Sequence, residues 1–221
     1  MAGAAFADRA GVALKLDRGY IVIRVRHRVG PDRVCGTVAA LAGDEGLLGA
    51  QYFLDHPPLP VTRMAANINL DGLAFNAPFD DVIGVGAELS TLGEVLASVA
   101  GDLGYELTTA PDVFWASESF ARSEQQAFAE RGVPSILVNE GFSWRDRSES
   151  EAISATLRWL RDVYHSPSDD LDQPLSWPAV CAHAGLMAAF VYAVADDLRD
   201  PTWYPGVPYA YERLLSIAVG D

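Results

Sequence analysis

Tyr164-His165-Ser166-Pro167-Ser168-Asp169-Asp170 lies between an amphipathic segment and a long apolar one. It presents a histidine and an aspartate in a loop, with a tyrosine hydroxyl beside the histidine. A histidine held this way can bind a metal ion, and a neighbouring phenol can donate to an oxyanion. The stretch gains weight from three other segments: Asp44-Glu45-Gly46-Leu47-Leu48-Gly49, Asn69-Leu70-Asp71-Gly72 and Arg122-Ser123-Glu124-Gln125. Gly132-Val133-Pro134 closely follows the last of them.

Working outward, strands and helices alternate. Tyr20 to Val29 and Val34 to Ala42 are β-rich runs separated by a Gly30-Pro31-Asp32 turn. Gly46 to Leu54 reads as a helix. Met64 to Leu70 reads as a strand that ends in Asp71-Gly72, and Val82 to Val85 as a short strand. Thr91 with Glu94 three residues on suggests a capping box. Leu92, Val95, Leu96, Val99 and Leu103 then share one helical face. Gln125 to Arg131 suggests a short helix, Ser135 to Asn139 a buried strand. Ser150 to Val163 and Trp177 to Leu198 are helical, and Pro201 to Tyr209 is irregular, aromatic and packed onto the domain. This alternation predicts an α/β fold with a mostly parallel or mixed central sheet and helices on both faces. The 221 residues suit a single domain.

The net charge of −14 argues against nucleic acid and against docking on an anionic membrane. The N-terminus lacks a basic region followed by an apolar one, so it does not read as a signal peptide. Ala179 to Ala195 is the nearest approach to a membrane span, but it contains His183, stops at Asp196-Asp197, and reads as a buried helix. Cys35 and Cys181 sit in apolar segments and read as small packed hydrophobes.

In such sheets ligands collect at the carboxyl ends of strands. Asp71 ends an apolar strand, and Asp44 and Glu45 follow another. With His165 they supply the donors of a hard or borderline metal site. Each residue also has a plainer reading. Asp71 can close a turn, Asp44 can cap the helix opening at Gly46, and His165 can be a surface residue.

The joint order of these segments resembles the family of di-zinc aminopeptidases that also holds glutamate carboxypeptidase, glutaminyl cyclase and the transferrin receptor ectodomain. The family's Glu-Glu-x-Gly-Leu-Leu-Gly-Ser corresponds to Gly43 through Ala50, and its Asn-Leu-Asp to Asn69-Leu70-Asp71. Its Arg-Ser-Asp-x-x-x-Phe-Ala-x-x-Gly-x-Pro corresponds to Arg122 through Pro134, and its Tyr-His-x-Pro-x-Asp to Tyr164 through Asp169. The resemblance is clearest over 34–198 and implies a zinc-exopeptidase-like fold. It implies Asp44, Asp71 and His165 as metal ligands, Asp44 or Glu45 as the base, and Tyr164 as the oxyanion donor. The implied substrate is a peptide or small molecule.

The chain departs from the pattern in three places. The family's His-x-Asp and bridging-aspartate segment normally precedes the Glu-Glu motif. Here His27 is followed by Val29 where the aspartate belongs, so that segment is expected to be deleted or not included. Aligning on Gly46-Leu47-Leu48-Gly49 puts Gly43 at the base and Asp44 at the ligand position. A shift by one makes Asp44 the base and Glu45 the ligand. Glu124 replaces an aspartate. The resulting expectation is a zinc-dependent aminopeptidase-type domain that hydrolyses N-terminal peptide bonds with little or no activity, holding at most one weakly bound zinc ion. The alternatives are a non-catalytic binding module, or a fragment of a longer metallopeptidase.

Overall fold

A computed structural model of the chain describes residues 12–17, 20–25, 33–37, 46–71, 76–114, 120–170 and 172–219. Strands β1 (Val12–Asp17), β2 (Tyr20–Val25) and β3 (Arg33–Thr37) form an antiparallel sheet in that order. A second sheet holds β4 (Asn67–Asn69), β5 (Asp81–Val85), β6 (Glu106–Thr108) and β7 (Ser135–Glu140), in the order β4-β7-β5-β6. In it β4 runs parallel to β7, β5 parallel to β6, and β5 antiparallel to β7. The α-helices among the described residues include α1 (Leu48–Asp55), α2 (Leu92–Asp102), α3 (Gln125–Glu130), α4 (Glu149–Asp162), α5 (Trp177–Asp196) and α6 (Pro208–Val219).

Side chains alternate across the mixed sheet, as the pleat requires. Val82, Ile136 and Val138 enter one core with Leu92, Leu96 and Ala100 of α2, Ala152 of α4, and Ala179, Leu186, Phe190 and Val194 of α5. Ile83, Val85 and Leu137 face the other way, onto Phe120, Ala129 of α3, and Trp203. A third cluster packs Ala50 and Leu54 of α1 on Ala127 and Phe128 of α3. The sheet is mixed and helices cover both faces, as the alternation of elements predicts.

Helix α5 is long and apolar enough to cross a membrane by length and composition. Here Ala179, His183, Leu186, Met187, Phe190 and Val194 are buried. They recur at three- and four-residue spacing, the stripe of a helix laid on a core.

Local expectations fail where tertiary partners compete. The Thr91–Glu94 capping box does not form. Thr91 Oγ1 instead accepts from Thr202 N–H at 3.0 Å, and Glu94 accepts from the Tyr204 hydroxyl at 2.5 Å. A reciprocal box is built at α4, where the Glu151 carboxylate takes the Ser148 N–H at 2.9 Å. Leu103 stays 48% exposed, because α2 has already ended at Asp102. Cys181 is exposed rather than packed, since it falls off the buried stripe of α5. The irregular C-terminal run ends at Pro208, whose fixed φ suits the first turn of α6. Met64–Ala66 stay outside β4, which is only three residues long.

Candidate functional site

Because β4 and β7 are parallel, their carboxyl ends share one edge of the sheet. Asn69 is the last residue of β4, and Asp71 leaves the sheet two positions later. Ser123, just before α3, donates its hydroxyl to Asp71 Oδ2. Asn69 Nδ2 donates to Gln125 Oε1 at 2.9 Å and to Ser123 Oγ at 3.1 Å. Gln125 is fully buried and donates to the Phe120 carbonyl at 2.8 Å. The two motifs are therefore one hydrogen-bonded unit, although Asp71 and Ser123 are 52 residues apart. Glu124 adds a carboxylate oxygen 3.4 Å from Ser123 Oγ.

The main chain at Asp71 is held as well. The Asn139 amide faces two carbonyls, so its nitrogen must be the atom turned toward them. In that orientation Nδ2 donates to Asp71 O at 3.1 Å and to Val138 O at 3.0 Å. His183 of α5 lies 3.1 Å from the same Val138 carbonyl through Nε2 and meets the Phe79 ring edge-on. A carbonyl only accepts, so the Nε2 position carries the proton. Burial pushes the His183 pKa down to about 4, so the ring is neutral. Asp81, at the start of antiparallel β5, is a second carboxylate on this edge. It accepts from Thr108 Oγ1 at 2.8 Å and from Ser143 N–H at 2.7 Å, and so closes the sheet.

The Tyr164 segment forms a tight turn after α4. Tyr164 N–H donates to Trp159 O, Ser166 N–H to Val163 O and Asp169 N–H to Ser166 O, each at 3.0 Å. His165 is exposed and adopts φ +55°, with its ring stacked on Tyr164 at a centroid distance of 3.7 Å. Among the described residues, Leu47 (φ +61°) and His165 are the non-glycine residues at positive φ. Both fall inside the segments singled out from sequence. Such backbone costs about 1 kcal/mol or more per residue and collects at functional positions.

Asp44 and Glu45 lie outside the described residues, as do Gly43 and His27. Asp71 and Glu124 meet at Ser123, while Tyr164 and His165 adjoin in their turn. Among the described residues, no three His, Cys, Asp or Glu side chains are grouped to hold a metal ion. Asp71 and His165 are of the donor types that zinc takes, but zinc needs at least three protein ligands. The described residues alone do not fit a zinc ion. Asn139 and His183 escaped the sequence reading. Their only signal is polarity within otherwise apolar elements, and a lone polar residue there is equally a satisfied core group.

The sequence model of peptidase family M28 matches residues 25–191. No curated protein matches the chain. Among solved structures, the aminopeptidase from Aneurinibacillus sp. strain AM-1 is similar at 16% identity with a TM-score of 0.42, covering 74% of this chain and 32% of its own. The chain thus spans about a third of that structure's length.

Proposed function

This chain belongs to peptidase family M28, and from that premise we propose that it is a zinc-dependent aminopeptidase-type domain that hydrolyses N-terminal peptide bonds with low turnover. The observation that supports this reading is the joining of Asn69, Asp71, Ser123 and Gln125 into one network at the carboxyl edge of β4. A carboxylate fixed by its neighbours at a strand end is the usual form of a site in an α/β sheet. Members of the family are generally zinc-dependent. The residues assigned to metal binding are Asp44, Asp71 and His165. Asp44 or Glu45 would accept the proton of the attacking water, and Tyr164 would donate to the tetrahedral oxyanion. The substrate is a peptide, or a small molecule with a free amino end.

A second reading, a non-catalytic binding module on the same fold, is favoured by Gly43 at the family's base position. Release of nitroaniline from aminoacyl-nitroanilides, with zinc or cobalt supplied, separates the two. Slow, chelator-sensitive hydrolysis is expected. Peptide binding with no hydrolysis would select the second reading. Fast turnover indifferent to chelator and to His165→Ala would overturn the assignment of the site.

A further inference from the structure

The family match ends at residue 191, near the end of α5. The chain beyond α5 runs back across the molecule as a strap, and its grips fall on the two elements that build the Asp71 network. On the α3 side, Tyr209 donates its hydroxyl to Gln126 Oε1 at 2.8 Å, one residue after Gln125. At the far end of α3, Trp203 Nε1 donates to the Gly132 carbonyl at 3.0 Å. Gly132 has φ +77°, and a Cβ there would stand 2.5 Å from the Arg213 main chain, so only glycine lets α6 come this close. On the β4 side, Arg213 donates to Met64 O at 3.0 Å and reaches Val61 O at 3.4 Å, just upstream of Asn67.

We propose that this strap is a positioning device for the Asp71 site: Arg213 sets β4 and Tyr209 sets α3, so that Asn69 and Ser123 meet at Asp71. Among the described residues, neither is hydrogen-bonded to Asp71. Both act through the elements that carry its partners, and both lie outside the segment that matches the family. The main chain of Met64 through Ala66 makes no strand, so the approach to β4 depends on what caps its carbonyls, and Arg213 caps one of them. Helix α3 is only six residues long, too short to hold its own direction without outside contacts.

The test is a pair of double-mutant cycles on the full chain, read by urea unfolding without metal or substrate. It therefore stands or falls apart from the question of hydrolysis. Ser123→Ala is expected to raise the unfolded-to-folded ratio about tenfold in the otherwise native chain, the effect of losing a hydrogen bond to a charged group. In the Arg213→Ala background the same change should cost less than about threefold, because the pair is already out of register. Tyr209→Phe removes one hydroxyl and keeps the ring packing, and it carries the test if Arg213→Ala does not fold. Its cycle with Ser123→Ala should show coupling of the same sign. Phe190→Leu, in the core on the opposite face, is the control and should be additive with Ser123→Ala. The same tenfold cost in both strap backgrounds overturns the proposal. So does a Ser123→Ala change without effect in the native chain.

Discussion

At the Asp71 edge, the carboxylate is held by Ser123, 52 positions away, and the main chain by Asn139 of a neighbouring strand. In the Tyr164–Asp169 turn, the main-chain hydrogen bonds span five residues or fewer, and His165 rests on the side chain next to it. The position of Asp71 is thus a property of the whole fold, while that of His165 is a property of one turn. A site needing both must bring a local, exposed element to a globally fixed one. Substitutions should therefore separate stability from function differently in the two regions.

The largest expected effect is on catalysis. Whichever of Asp44 and Glu45 is the base, its amide variant should lower nitroanilide turnover by about 10²–10⁴-fold. His165→Ala and Asp71→Asn should each abolish turnover, but only Asp71→Asn should also lower the melting temperature. Turnover that survives His165→Ala would remove the turn from the site and reduce the comparison to a single region.

Next is acid stability, which sharpens the comparison because a buried histidine underlies the Asp71 edge. The folded pKa of His183, about 4, lies below its ordinary 6.5. Between those values the unfolded chain binds a proton that the folded chain refuses. The stability from keeping His183 neutral is complete above pH 6.5 and is lost as pH falls toward 4, by roughly 3 kcal/mol. Lowered Asp146, Glu151 and Asp162, each paired with a neighbouring arginine or serine, lose their contribution only as pH falls below the ordinary carboxylate range. Urea unfolding at pH 7 and pH 5 should therefore show a loss for the native chain that is largely absent in His183→Gln. Equal losses in both would contradict the origin assigned to it.

The two regions were unequally legible in sequence. Asp71 was legible as a strand end, because it sits where an apolar run stops, while the link from it to Arg122 through Pro134 rested on the family resemblance alone. The apolar runs of β5 and β7 gave the sheet for the same reason. The supports of that edge stayed hidden. Asn139, His183 and Arg213 all bond to main-chain carbonyls, and no side-chain pattern marks which carbonyl the folded sheet leaves over. The failed Thr91–Glu94 box shows the converse. Its local chemistry was right, but Thr202 and Tyr204 arrive from more than 100 residues away and take both groups.

A smaller effect compares hydroxyls. Ser123→Ala should cost about 1.5 kcal/mol, since its partner is a half-buried carboxylate. Ser166→Ala in the turn should stay within about 0.5 kcal/mol, because its hydroxyl bonds only to main-chain groups within four residues. Matching losses at the two serines, measured by urea unfolding, would show that the turn is as firmly built into the fold as the Asp71 edge.

The smallest expected effect is His165→Gly. The left-handed backbone at φ +55° costs a non-glycine residue about 1 kcal/mol, and glycine removes that cost. Glycine also gains freedom in the unfolded chain, which opposes folding by roughly 0.5–1 kcal/mol. It also loses the ring stacked on Tyr164. These terms nearly cancel, so the melting temperature should move by no more than about 2 °C. His165→Val keeps the backbone cost, adds a β-branch that disfavours positive φ, and loses the stack, so it should fall clearly below His165→Gly. If valine matches glycine, the turn does not hold φ +55° in solution, and the strain at His165 is no part of how the segment is presented.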